Sequence, residues 1–256
     1  MVAKLVIEKD TQMVIAELRD DGVWACADSK LEHYLNSTYS PRRASSYLCD
    51  SGVEAVNEAA DDLRYGGYQV SVVLSVAQVV DDIVYVTLSI SDFWSQSGWP
   101  PPDTQALLAR SRLDRQVSLS HCLRLWLNSP AGEDAEGQLI LAWVNLRSLV
   151  EGAMKLVLTV WEDCYSSSPV TRGKNGKPIQ LDALGLEELK NYFKEHVWTD
   201  RSRRWDGWIS KIQQRGNAIH AYKDRDIGSR SEFFRALIEY REFLGEIDGR
   251  LPYPGQ

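Results

Sequence analysis

The stretch from Gly137 to Asp163 most constrains how this chain can fold. Its hydrophobic residues recur at helical spacing and cover most of the helix circumference: Leu139, Ile140, Leu141, Trp143, Val144, Leu146, Leu149, Val150, Met154, Leu156, Val157, Val160 and Trp161. A helix that is apolar on most sides is surrounded by other elements or lies at an interface. The sequence therefore predicts an α-helical bundle built around this helix.

One line of polar residues interrupts this apolar surface. Arg147, Glu151 and Lys155 follow one another at four-residue intervals, which places them on the same helix face. Two interpretations stay open from the sequence alone. The line is either a solvated seam of ion pairs or a polar strip that faces a cleft.

Further helices are predicted on both sides of the central one. Residues 104–128 form one helix or two short ones, and residues 184–197, 203–222 and 231–247 form three more. Ser229 and Glu232 precede the last of these in a capping-box pattern, which marks a helix start. This half of the chain is therefore predicted to be all α.

A 17-residue loop, 166–182, separates the central helix from the next one. Loops of this length are usually functional or mobile. Arg172, Lys174 and Lys177 form its charged tip, which either contacts a phosphate backbone or is simply solvated.

The first hundred residues instead show α+β patterning. Residues 70–76 and 84–90 alternate apolar and polar positions on either side of Asp81 and Asp82, which predicts a β-hairpin. Residues 14–18 and 23–26 predict another, and residues 51–64 predict a helix.

Three consecutive prolines, 100–102, stop regular structure and stiffen a connection. They indicate a domain border. We expect an α+β fold with a small α+β domain over 1–100, a proline-rich linker and helix start over 101–113, and a helical bundle over 114–256.

Charge is distributed unevenly between these parts. Residues 1–110 contain 8 basic and 16 acidic side chains, a balance of −8, whereas residues 111–256 contain 21 and 20, a balance of +1. The net charge of −7 argues against a general polyanion binder. Residues 201–230, with 8 basic and 3 acidic side chains, predict a local positive surface.

Cysteine spacing and hydropathy argue against a zinc protein, a membrane protein and a secreted protein. The four cysteines form no CxxC pair, so we expect no zinc site. We also expect no other metal and no cofactor. No segment reaches the roughly 18 uninterrupted apolar residues of a membrane helix, and the N-terminus has no signal-peptide pattern. We therefore expect a cytoplasmic protein with no membrane partner.

Arg215 and His220 are the most informative pair in the chain. At 100° per residue, Arg215 and Gly216 fall within the apolar stripe of the predicted helix 203–222, and His220 falls at its margin. Because a buried guanidinium must be paired, this face borders a cleft or a subunit interface. Asn217 and Asp224 lie within one turn of the imidazole and could orient it.

Less specific interpretations of the same residues stay open. A lone histidine in a helix is more often structural than catalytic. The spacing of an arginine and a histidine five residues apart also arises often by chance. Gly216 either leaves space beside His220 or simply lets two helices pack closely.

The segment from Arg215 to Gly228, RGNAIHAYKDRDIG, resembles the motif segment of HEPN domains. These are helical bundles whose active members have an arginine and a histidine on a late helix, with four to six residues between the two. The helix with Asn145, Arg147, Glu151 and Lys155 resembles that family's early helix. Many active members have a polar residue directly after the arginine, where this chain has Gly216.

The resemblance implies a metal-independent endoribonuclease of the toxin or antiviral-defence type. His220 would be the general acid/base and Arg215 would hold the scissile phosphate. Asn217, Gly216, Lys223, Asp224 and Arg225 would orient these groups or bind RNA. The resemblance also implies a homodimer in which two such pairs share one cleft.

Two alternatives complete the expectations. HEPN-like domains without nuclease activity also exist, so the domain could instead bind RNA, a nucleotide or a protein, or serve in dimerisation. Residues 1–100 show no P-loop, GxGxxG, GxSxG or HExxH pattern. We interpret them as a regulatory or docking domain for a basic protein regulator.

Overall fold

The computed structural model describes residues 3–9, 12–19, 21–39, 52–96, 98, 100–128, 132–172, 176–198, 204–220 and 222–253. The fold is α+β, as predicted: a small antiparallel sheet near the N-terminus is followed by a helical part. The chain divides into two compact units, 1–85 and 86–256. This boundary falls before the three prolines, and a domain border at the prolines stays a prediction.

Unit 1 is a four-stranded antiparallel sheet with helices. Its elements are β1 (Ala3–Lys9), β2 (Gln12–Leu18), β3 (Trp24–Cys26), α1 (Ser29–Thr38), α2 (Gly52–Tyr65) and β4 (Gln69–Val73). The strand order is β3-β2-β1-β4. The predicted hairpin of 14–18 and 23–26 is confirmed by the β2–β3 pairing, and the predicted helix 51–64 is confirmed by α2. Neither β1 nor α1 was predicted.

The predicted hairpin of 70–76 and 84–90 is wrong in its second arm. Residues from Val76 to Gln96 form a single helix, α3. Ser75 and Gln78 form a capping box at its start, because Gln78 N–H donates to Ser75 Oγ (3.3 Å) and Ser75 N–H donates to Gln78 Oε1 (2.9 Å). Val80, Ile83 and Val84 are buried at helical spacing, and helical burial overrides the apparent alternation.

Unit 2 is a bundle around one helix. Its elements are α4 (Pro102–Arg110), α5 (Leu113–Cys122), α6 (Ala135–Val160), α7 (Glu162–Ser167), β5 (Thr171–Arg172), β6 (Lys177–Pro178), α8 (Leu186–His196), α9 (Arg204–Gly216) and α10 (Arg230–Asp248). The long apolar helix α6 packs against α4, α5, α8, α9 and α10, so the predicted central position is confirmed. Leu146, Leu149, Val150 and Met154 of α6 are fully buried.

Two predictions for unit 2 need correction. The helix predicted over 203–222 ends at Gly216 and continues only as a 3₁₀ turn over Asn217–Ile219, so His220 lies outside it. Tyr222, which continuous helical geometry places on the apolar stripe, is fully exposed. The predicted loop 166–182 contains the end of α7, the β5–β6 ladder and a 3₁₀ turn over Leu181–Ala183.

Candidate functional site

The residues that resemble the HEPN motif lie at the end of α9 and in the connection to α10. We call residues 217–229 the motif loop. Its first residues form the 3₁₀ turn that extends α9, and Ser229 caps α10. The loop therefore joins the helix that contains Arg215 to the helix that contains Glu232.

Arg215 is buried, and its guanidinium contacts other protein side chains. Only 4% of its surface is exposed. Its Nη2 donates to Glu232 Oε1 at 2.8 Å and lies 3.5 Å from Asp226 Oδ2. Its guanidinium also lies 4.8 Å from the ring centre of Trp143, which is a cation–π contact.

The position of Arg215 confirms that it belongs to the buried face of α9 and is paired. Within the described residues, its Nη1 is buried without a hydrogen-bond partner. In this arrangement the guanidinium holds the motif loop against α6 and α10 and is not exposed to a phosphate.

Glu232 links this arginine to the start of α10. Its Oε2 accepts the Ser229 N–H at 2.9 Å, which confirms the capping box predicted from the sequence. Its Oε1 accepts from Arg215 and from Lys211, the latter at 3.3 Å. The hydrogen bonds from Arg215, the Ser229 N–H and Lys211 together lower the pKa of Glu232 to about 2.

This depressed pKa gives a testable dependence of stability on pH. A carboxylate with a lower pKa in the folded state stabilises the fold above its unfolded pKa and loses that contribution as the pH falls. We therefore expect wild-type protein to lose stability between about pH 4.5 and pH 2 through Glu232. The measurement is the thermal midpoint of wild type and Glu232→Gln across this range. If the thermal midpoint fell equally with pH in both proteins, Glu232 would not be the cause of the loss of stability.

Two glycines let this cluster pack closely. Gly228 adopts a left-handed φ of +62°, and a Cβ there would overlap the guanidinium of Arg215, lying 2.6 Å from its Nη1. A Cβ at Gly216 would lie 2.9 Å from Arg147 Cδ and 3.4 Å from the carbonyl oxygen of Trp143. Gly216 thus allows α9 to approach α6, the second of the two roles considered for it.

Side chains of α6 hold both ends of the motif loop. Arg147 Nη1 donates to Asn217 Oδ1 at 2.7 Å, and Trp143 Nε1 donates to the carbonyl of Ile227 at 2.8 Å. Asn217 is therefore bonded to α6 rather than to the imidazole that it was expected to orient. Farther along the polar line, Lys155 pairs with Glu151 at 2.9 Å.

The middle of the motif loop is exposed. The side chains of His220, Tyr222, Lys223 and Asp224 are all exposed, and Arg225 is half-buried. Among the described residues the structure gives the imidazole of His220 no hydrogen-bond partner, and its orientation by Asp224 stays a prediction. The loop thus exposes a histidine, a tyrosine and a lysine, while both of its ends are hydrogen-bonded to α6.

The structure describes two of the three basic residues predicted at the tip of the loop 166–182. Lys177 is exposed on β6, Arg172 belongs to β5, and Lys174 lies outside the described residues. No hydrogen bond or ion pair joins Lys177 to the motif loop in the described part of the chain.

Comparisons with known proteins identify no relative. No protein-family model matches the chain, and neither a curated protein nor a solved structure resembles it significantly. In the part of the chain that the structure describes, no helix has the length and hydropathy needed to cross a membrane. The same residues contain no cluster of three or more histidine, cysteine or acidic side chains arranged to hold a metal ion.

Proposed function

We propose that unit 2 is a HEPN-type domain that binds single-stranded RNA through the motif loop. The observation that carries the proposal is the exposed group of His220, Tyr222 and Lys223 on a loop whose two ends are bonded to α6. Loops that a rigid scaffold positions are the usual location of binding residues.

The chemistry of these side chains suits a flexible nucleic-acid strand. A fully exposed tyrosine offers a ring on which a base stacks, and stacking of this kind tolerates any base. Lys223 and Arg225 supply positive charge that attracts phosphates. The carboxylates of Asp224 and of the largely exposed Asp226 reduce the net positive charge of the loop. Binding is therefore expected to depend more on stacking than on counterion release.

The test is fluorescence anisotropy with a labelled single-stranded RNA at several salt concentrations. Tyr222→Ala should weaken binding about tenfold, because one stacked base contributes roughly 1–3 kcal/mol. Tyr65→Ala is the matched control, since Tyr65 is also almost fully exposed but belongs to unit 1. Equal losses in both variants, or none in either, would overturn the proposal.

A second candidate function is RNA cleavage, which the exposed imidazole of His220 favours. His220 would accept the proton of a ribose 2′-hydroxyl as the 2′-oxygen attacks the phosphorus. The P–O5′ bond would break, the 5′-oxygen would take a proton from solvent water and leave as a hydroxyl, and a 2′,3′-cyclic phosphate would remain on the other fragment. Lys223, rather than the buried Arg215, is the exposed cation available to the phosphate.

Cleavage of a mixed RNA pool in EDTA separates this candidate from simple binding. Catalysis predicts that wild type and His33→Ala, a control at an exposed histidine in unit 1, both cut the RNA. His220→Ala should lose activity by at least about 100-fold, the usual contribution of general acid–base catalysis. RNA that stays intact with wild type, or cleavage preserved in His220→Ala, would reject the candidate.

The homodimer that the resemblance implies is part of the proposal. Ile219, 46% exposed, supplies an apolar surface beside His220 that a second motif loop would cover. Sedimentation should show a dimer for wild type and a monomer for Ile219→Asp.

Unit 1, with its acidic balance, is proposed as the docking site of a basic protein regulator.

A further inference from the structure

The sheet of unit 1 has one face that its helices cover and one face that stays open. Leu5, Ile7 and Leu18 belong to the covered face and pack with residues of α1 and α2 in the hydrophobic core. The residues that alternate with them belong to the open face, because successive side chains of a strand point to opposite sides. We call this open face the outer face. By strand register it contains Lys4, Val6 and Glu8 of β1, Met13, Ile15 and Glu17 of β2, and Gln69, Ser71 and Val73 of β4.

The middle of the outer face is apolar and exposed. Val6 lies directly opposite Ile15 in the β1–β2 pairing, and Met13 lies on the same side of β2 as Ile15. Met13 is 63% exposed, Ile15 50% and Val73 49%. Antiparallel strands with one face in water usually alternate apolar and polar residues, whereas strands covered on both faces are continuously apolar. Because β2 is apolar without interruption from Met13 to Ala16, the outer face has the composition of a covered surface.

Negative charge adjoins this apolar centre. Glu17 forms an ion pair with Lys4 on the same face. The carboxylate of Glu8, which lies opposite Met13, is exposed and has no ion-pair or hydrogen-bond partner among the described residues. Residues 1–110 also contain 16 acidic and 8 basic side chains, so the wider surface of unit 1 is negative. The outer face therefore favours a partner that is apolar at its centre and positively charged at its margin.

A basic amphipathic helix meets both requirements better than a second copy of this chain. Two copies of unit 1 would bring their acidic surfaces together, and like charges oppose such an association. A helix is about 10–12 Å wide with its side chains, and three neighbouring strands span about 10 Å, so one helix covers the centre of the sheet. Its apolar stripe would lie over Val6 and Ile15, and its basic residues would lie beside Glu8.

We propose that the outer face is the surface on which a basic amphipathic helix of a partner protein docks. Val6, Met13 and Ile15 contact the apolar stripe of this helix, and Glu8 pairs with a lysine or arginine at the margin of the stripe. The proposal rests on the docking role proposed above for unit 1. It is separate from RNA binding, because it uses no residue of the motif loop.

Three peptides of about 15 residues, long enough for a helix, test the chemistry of the partner in calorimetric titrations of the full chain. The first has leucines at the spacing of one helix face and lysines elsewhere. The second has the same composition in an order that spreads the leucines around the helix, and the third has glutamates in place of the lysines. We expect the first to bind with a Kd below about 100 µM and the others at least about tenfold more weakly. Failure of the first peptide to bind, or equal affinity for all three, would overturn the proposal.

Substitutions place the binding on the outer face. Ile15→Thr keeps a β-branched side chain but removes apolar surface, so it should weaken the first peptide about fivefold. Glu8→Gln should weaken it about threefold at low salt, and this difference should disappear at high salt. Ile238→Thr and Glu136→Gln, matched controls at exposed positions of unit 2, should leave binding unchanged. Equal affinity in wild type and Ile15→Thr would reject the outer face and leave docking to another part of unit 1.

Two further measurements separate this proposal from a self-association surface and from the RNA function. If a second copy covered the outer face, Ile219→Asp would still self-associate and the added Ile15→Thr would make it a monomer in sedimentation, which would overturn the proposal. Ile15→Thr should bind single-stranded RNA as wild type does, and Tyr222→Ala should bind the first peptide as wild type does. A protein that binds the peptide but no RNA would therefore contradict the motif-loop function and support the outer face.

Discussion

Gly228→Ala should lower the free energy of unfolding by about 3 kcal/mol. Two costs add at this position. A side chain at a φ of +62° is strained by about 1 kcal/mol, and the new methyl group would meet the guanidinium of Arg215. Displacing that guanidinium would disturb its contacts with Glu232 and Trp143 as well. Urea denaturation monitored by circular dichroism measures the change.

A matched control separates the two costs. Gly176 has a φ of +56°, close to that of Gly228, but nothing lies within 4 Å of its Cβ position. Gly176→Ala should therefore cost only about 1 kcal/mol, the backbone strain alone. If both substitutions cost the same, the contact between residue 228 and Arg215 contributes nothing to stability.

Arg215→Ala should destabilise the protein by about the same amount, roughly 3 kcal/mol. A hydrogen bond between charged groups contributes about 2 kcal/mol and the contact with the Trp143 ring about 1 kcal/mol. Arg215→Lys should recover little, since an ammonium reproduces neither the planar stacking nor the fork geometry. Arg235→Ala, at an exposed position, should change stability by less than about 0.5 kcal/mol.

The same substitution distinguishes a positioning residue from one that contacts phosphate. If Arg215 acts by holding the motif loop, RNA that still binds to folded Arg215→Ala should show the wild-type salt dependence. A phosphate contact would instead reduce the slope of log K against log salt by about 0.7. Unchanged stability together with a reduced slope would show that Arg215 contacts RNA directly.

The sequence predicts those features whose signal lies within one helix. The apolar circumference of α6 and the Ser229–Glu232 capping box are local patterns, and both are present as predicted. The burial of Arg215 also follows from helical spacing. Its acidic partners do not, because Glu232 lies on another helix and Asp226 in the loop between the two.

The errors have identifiable causes. The apolar residues of 84–90 alternate as in a strand, but Val84 also continues the helical spacing of Val80 and Ile83. The Ser75–Gln78 capping box is the local signal that decides in favour of α3. The apolar spacing of 205–219 continues to Tyr222, and this continuation predicts a helix that includes His220. The helix instead ends where Arg147 binds Asn217.

The most direct test of RNA binding by the motif loop is the affinity of the wild-type protein for a labelled single-stranded RNA. The proposal predicts that Tyr222→Ala weakens binding about tenfold while Tyr65→Ala does not. It also predicts that Lys223→Ala lowers the salt slope by about 0.7. If all three variants bind RNA with the wild-type affinity and the wild-type salt slope, the RNA binds elsewhere on the protein.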